Sequence, residues 1–189
     1  MLDAGPPAGG LVDTRCHNTY HRRMPSALQA ELKQTRPFRS LEHEALLSIE
    51  RTAAILSHGV AEALRRYDVT PTQYNVLRIL RGAGERGLCR NEVRDRLVAK
   101  VPDVTRLLDR MEEMELVERE RDSGDRRMVF TRLTRKGLQL LARIDEPVAR
   151  LHQRQLGHLG AAKLHALIDL LAEARAGSNG TEDDARVAD

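Results

Sequence analysis

Four arginines and one threonine carry the most legible chemistry in this 189-residue chain. Arg106 and Arg110 stand one helical turn apart, and Thr105 precedes the first of them. A guanidinium presents a planar fork of donors that matches guanine O6 and N7, or two phosphate oxygens, in a bidentate manner. Arg126 and Arg127 follow Asp122-Ser123-Gly124-Asp125, a turn-forming run, and so project from the tip of a hairpin. Cations at such a tip suit the electronegative minor groove of A·T-rich duplexes. Pro102 and Asp103 begin the segment that bears Thr105, Arg106 and Arg110, and complete the candidate surface. The plain alternative is that Arg106 and Arg110 are solvated charges on an amphipathic helix. The surrounding elements decide between the two.

Those elements change period along the chain. Ser40 can cap a long helix to about residue 67, with Ala45, Ile49, Ala53, Leu56, Val60 and Leu64 recurring at three- and four-residue steps. Thr70-Pro71-Thr72-Gln73 is a capping box with proline at the first helical position, and Gly82 is expected to end that helix. Residues 82–87 read as a flexible glycine connector. A short helix over 90–98 follows, with Cys89 at its cap, and Pro102 opens another that runs to 114. Residues 116–121 and 127–133 are β-prone and joined as a hairpin. Thr134 caps a helix to 156, which Pro147 should kink or interrupt. A last helix spans 161–175. Two short helices followed at once by a basic hairpin form a winged helix-turn-helix, whose second helix fits a major groove about 12 Å wide. The expected architecture is mainly α, with long N- and C-terminal helices around the winged domain.

Domain boundaries follow from composition. Residues 1–37 are rich in Gly, Pro and Arg and read as a basic, irregular extension; 38–176 form the compact unit; 177–189 read as an acidic polar tail. Met24 is an alternative start. Charge is uneven: residues 15–39 carry six Lys or Arg against one acid, 119–136 seven against three, and 178–189 one against four. The basic stretch either adds phosphate contacts or lies across a partner subunit. Aromatics are 3% of the chain with no Trp, which argues against base-stacking platforms for single strands. No apolar run approaches the ~18 residues of a membrane span. Two cysteines make no disulfide framework, so the expectation is a cytoplasmic, nucleoid-associated protein with reduced thiols.

Other constellations are weaker. Cys16, His17 and His21 place a thiol and two imidazoles within one short segment, but a tetrahedral site needs a rigid set of three or four ligands. Neither a metal nor another cofactor is expected. Cys89 at a helix start is a redox candidate, because the helix dipole favours a thiolate; the plainer reading is a cysteine in place of a Ser or Thr cap. The glycine loop lacks the Gly-Lys-Ser/Thr ending of a phosphate cradle. No nucleophile elbow or His-Glu-x-x-His occurs. An enzyme is not expected.

Thr70-Pro71-Thr72-Gln73-Tyr74, the run Val104 to Glu112, Leu116-Val117-Glu118-Arg119, and Asp122…Asp125-Arg126-Arg127…Leu133-Thr134…Gly137 together resemble the MarR family of bacterial transcription regulators. The likeness covers about residues 41–175 and is most specific in the wing. It implies a homodimeric repressor that binds a pseudo-palindromic operator in double-stranded DNA. By matching position, Arg127 is the wing arginine of the minor groove, Asp125 the carboxylate that braces the wing, and Thr105 and Arg106 base contacts. It also implies a small aromatic or anionic effector, with His58, Tyr74 and Arg78 as lining candidates. Glu115 departs from the pattern, standing where the family usually has Gly. Two rivals remain: a thiol- or metal-responsive sensor of the same fold, and a winged-helix interaction module without DNA binding.

Overall fold

The computed structural model describes residues 26–121 and 127–186, with side chains described as far as residue 177. The chain divides into two compact units, Met1–Glu50 and Arg51–Asp189, and helix α2, Leu41–Arg65, runs through the division. The first unit contains a one-turn helix, α1, at Ala27–Glu31. This falls in the stretch expected to be irregular. Ser26 caps it by accepting the Gln29 N–H at 3.3 Å, and the Ala-Leu-Gln-Ala-Glu run has high helix propensity. Ser40 accepts the His43 N–H at 3.2 Å at the start of α2, as its sequence position implies.

In the second unit α3, Pro71–Ala83, begins with the expected capping box. The Thr70 hydroxyl accepts the Gln73 N–H at 3.2 Å, while Gln73 Oε1 accepts the Thr70 N–H at 2.8 Å. The connector after α3 holds structure that sequence did not reveal. A single 3-10 turn at Gly84–Arg86 leads into β1, Leu88–Cys89. Gly87 between them has φ +70°, and a Cβ there would lie 2.5 Å from the Thr131 carbonyl oxygen, so only glycine lets the two strands meet. Helix α4, Arg90–Arg96, follows directly, and then α5, Val104–Glu113. Pro102 does not open α5 as expected. Asp103 is the cap and Pro102 precedes it, because the Asp103 carboxylate accepts the Arg106 N–H at 2.9 Å and so fixes the first turn.

Strands β2, Val117–Arg121, and β3, Val129–Leu133, form an antiparallel pair, with β1 on the far side of β3. Leu88 faces Thr131 in one ladder and Arg119 faces Thr131 in the other. Helix α6, Arg135–Leu156, starts at the Thr134 cap. Pro147 lies inside it without interrupting it. The missing proline N–H would have bonded the Arg143 carbonyl, and the Tyr67 hydroxyl donates to that carbonyl at 3.1 Å instead. Gly137 is buried under β2: a Cβ there would sit 2.2 Å from the Leu116 carbonyl oxygen.

One contiguous core joins α3, α4, α5, the sheet and α6 through Val76, Leu77, Val93, Leu108, Met111, Val117, Leu141 and Ile144, among others. Burying each such side chain contributes about 1.5–3 kcal/mol relative to exposure. The last helix, α7, Gly160–Arg186, continues past the expected end at 175 into the segment read as a polar tail. Extending a formed helix fixes one residue per added hydrogen bond, so polar composition alone does not stop it. Among the described residues, no helix is long and apolar enough to cross a membrane.

Candidate nucleic-acid interface

Helix α5 turns its apolar side, Val104, Leu108 and Met111, into the core, and that fixes which residues it offers outward. Thr105, Arg106 and Arg110 are exposed. Arg106 and Arg110, with Thr70, Gln73, Asp103 and Leu107, line a groove of about 410 Å³. Neither guanidinium is in an ion pair among the described residues. Their charge is therefore available to a polyanion. The Asp103 side chain, by contrast, is already committed to capping α5. Thr105 is anchored from the neighbouring helix: Arg90 of α4 donates to its Oγ at 3.3 Å.

Other arginines are spent on the frame. Arg119 of β2 donates from Nε to Glu112 at 2.9 Å and pairs with Asp109 at 2.6 Å. Its pKa is raised above the ordinary guanidinium range, chiefly by the Glu112 hydrogen bond, so it is a permanent cation strapped to the outer side of α5. Arg132 of β3 pairs with Glu120 across the wing. Arg81 of α3 makes a bidentate pair with Asp145 of α6, at 2.5 and 3.1 Å, which ties the helix-turn-helix to the long helix behind it. The wing and α5 thus form one braced piece.

The turn between α5 and β2 is where Glu115 stands. Its φ is +59°, the left-handed conformation that glycine adopts freely. The Glu115 N–H donates to the Glu112 carbonyl at 2.8 Å and the Leu116 N–H to the Met111 carbonyl at 2.9 Å, the paired bonds that close a helix with a left-handed residue. The turn is built as glycine would build it, and the chain bears the strain. Lys136 holds the Glu115 carboxylate at 2.8 Å and keeps its pKa below the ordinary range.

The remaining expected residues distribute as follows. Arg127 is exposed just ahead of β3, while Asp125 and Arg126 lie outside the described residues, as does Cys16. Cys89 is half-buried at the cap of α4, where the Glu92 carboxylate accepts its N–H at 2.9 Å. That backbone bond, followed by the thiol itself, lowers the Glu92 pKa. Tyr74 is a core residue, 8% exposed, with the Arg78 guanidinium 5.9 Å from its ring centroid. His58 is exposed on α2, and among the described residues no hydrogen bond or ion pair links it to Tyr74 or Arg78. Among the described residues, no group of three or more His, Cys, Asp or Glu is arranged to hold a metal ion. Sequence reasoning missed Arg90 and Arg119. Arg119 was findable, since it lies three residues into the first wing strand, opposite two acids on the helix; the Arg90–Thr105 bond depends on the angle between α4 and α5 and leaves no sequence signal.

Comparison with known proteins adds the following. A profile described as the MarR family matches residues 67–128. The chain is 31% identical over 115 residues to the HTH-type transcriptional repressor IacR of Pseudomonas putida, covering 61% of this chain and 68% of that protein. A MarR transcription factor from Planctomyces limnophilus is 41% identical, with a TM-score of 0.56 over 72% of this chain and 98% of that one. A MarR variant of Escherichia coli, solved in complex with operator DNA, is 26% identical, with a TM-score of 0.63 over 79% of this chain and 99% of that one.

Proposed function

Because the chain belongs to the MarR family, we propose that it is a homodimeric repressor of transcription that binds a pseudo-palindromic operator in double-stranded DNA. Helix α5 reads base edges through Thr105 and Arg106, Arg110 binds phosphate beside them, and Arg127 reaches the minor groove from the wing. The observation that carries this reading is the contrast in charge. Arg106 and Arg110 are exposed and outside any ion pair among the described residues, whereas Arg119, Arg132 and Arg81 are paired. Phosphate contacts supply affinity and base contacts specificity. The protein works in the cytoplasm, at the nucleoid, and a small aromatic or anionic effector relieves repression by favouring one spacing of the two recognition helices.

The test is fluorescence anisotropy with the DNA upstream of the protein's own gene and an unrelated duplex, at about 50 and 200 mM salt. Preference for the upstream DNA should survive the higher salt. Arg106→Ala should relax that preference at one base pair, a cost of about 1–3 kcal/mol, and Arg127→Ala should weaken binding chiefly where the flanks are A·T-rich. Equal binding to both duplexes at each salt, with no motif recovered from a random library, overturns the reading in favour of an interaction module.

A further inference from the structure

A second cleft, of about 770 Å³, opens where the turn after α2, the C-terminal end of α5 and the first half of α6 meet. Its apolar wall is Met114, Leu116 and Leu140, with Tyr67 at the side. Two cations stand over that wall, Lys136 and Arg143, seven positions apart and so on one face of α6. Asp68 is the single carboxylate in the lining, which leaves the cleft with a net charge of one positive unit. Among the described residues the Arg143 guanidinium is in no ion pair, and Lys136 is held only by the exposed Glu115.

The chemistry of this lining selects a ligand class. Flexible aliphatic side chains outnumber the one aromatic ring, and the Tyr67 hydroxyl is already committed to the Arg143 carbonyl at 3.1 Å. Such a wall conforms to a flexible chain more readily than to a flat ring, and the cations ask for one anionic head. We propose that this cleft binds an aliphatic monocarboxylate of medium chain length, its head on Lys136 and Arg143 and its chain against Met114, Leu116 and Leu140. Its volume falls within the ordinary range for small-molecule sites.

The cleft also touches the reading surface. Gln73 donates from Nε2 to the Met114 sulfur at 3.4 Å, and Gln73 lines the groove that contains Arg106 and Arg110. A chain pressed on Met114 displaces a weak sulfur acceptor and moves the C-terminal end of α5, so occupancy lowers DNA affinity. This consequence rests on the repressor reading; the binding itself does not.

Calorimetry on the full chain tests the site with decanoate, and with decyltrimethylammonium as a probe of equal chain and opposite charge. One decanoate per chain should bind, with the cation at least about ten-fold weaker. Lys136→Gln with Arg143→Gln should weaken decanoate about ten-fold or more, and Glu115→Gln, which releases Lys136, should tighten it. Ala142→Phe fills the cleft from an exposed position without altering charge and should also abolish binding. Equal binding of both probes, or decanoate affinity untouched by the double substitution and by Ala142→Phe, overturns the site. Anisotropy with operator DNA then separates the two readings. Decanoate bound with DNA affinity unchanged overturns the coupling, whereas absence of DNA binding overturns the repressor reading and leaves the calorimetry to decide the cleft.

Discussion

Glu115 and Gly137 show how far single residues constrain the wing. Glu115 holds φ +59°, a conformation that costs a residue bearing a Cβ and costs glycine nothing. Glu115→Gly removes that strain and forfeits only an exposed ion pair to Lys136, so it should raise Tm by about 1–3 °C; an unchanged or lower Tm by calorimetry refutes the strain argument. The departure from the family pattern was visible in sequence, but whether the turn kept its left-handed form was not. That depended on Met111 and Leu116, which close the turn by a backbone bond and are both buried. Glu92 offers a pH test. Its folded-state pKa is lowered, so its contribution is present above the ordinary carboxylate value of about 4.3 and is lost as pH falls through the folded value. Wild type should therefore melt above Glu92→Gln at pH 6, and the two Tm values should converge near pH 3.

Elements were legible where their signals are local. The Thr70–Gln73 capping box, the Thr134 cap and the switch from helical to alternating period each lie within a few residues, and each appears where expected. What failed was non-local. Strand β1 has two residues and exists only because β3 passes beside it; no two-residue pattern announces a strand. Pro147 was rightly seen as a fault in α6, yet the helix continues through it because Tyr67, far away in sequence, supplies the donor that Pro147 lacks. This makes a quantitative expectation. Tyr67→Phe should cost about 1 kcal/mol in urea unfolding, and clearly less in a Pro147→Ala background, where the Arg143 carbonyl regains its own helical donor. Equal costs in both backgrounds would show that the phenol does not serve that carbonyl. Among the site residues, the exposed face of α5 was legible from its period, whereas the bracing of that face by Arg90 and Arg119 required the packing.

At the scale of the whole molecule, helix α7 carries more apolar surface than a lone chain can use. Leu167, Ile168 and Leu170 are 38, 59 and 63% exposed. Leu164, Leu167, Ile168 and Leu171 fall on one stripe, the arrangement that a second copy would cover. Sedimentation velocity should give about twice the 21.3 kDa chain mass. Ile168→Glu should return the monomer and with it remove high-affinity operator binding, since a pseudo-palindrome needs two heads; a monomeric wild type that still binds the full operator contradicts this. The three-stranded sheet has a further consequence, which concerns time. Its β2–β3 ladder closes over a short hairpin, but β1 must find β3 across 43 positions, from Leu88 to Thr131. Contacts so distant along the chain form late, since the loop must be ordered before they contribute. Helix α4 begins at the residue after β1, so its start, and Arg90 with it, is set by that closure. A newly made chain thus acquires its helices before it acquires a seated reading head, and the lag between the two is a property of one two-residue strand.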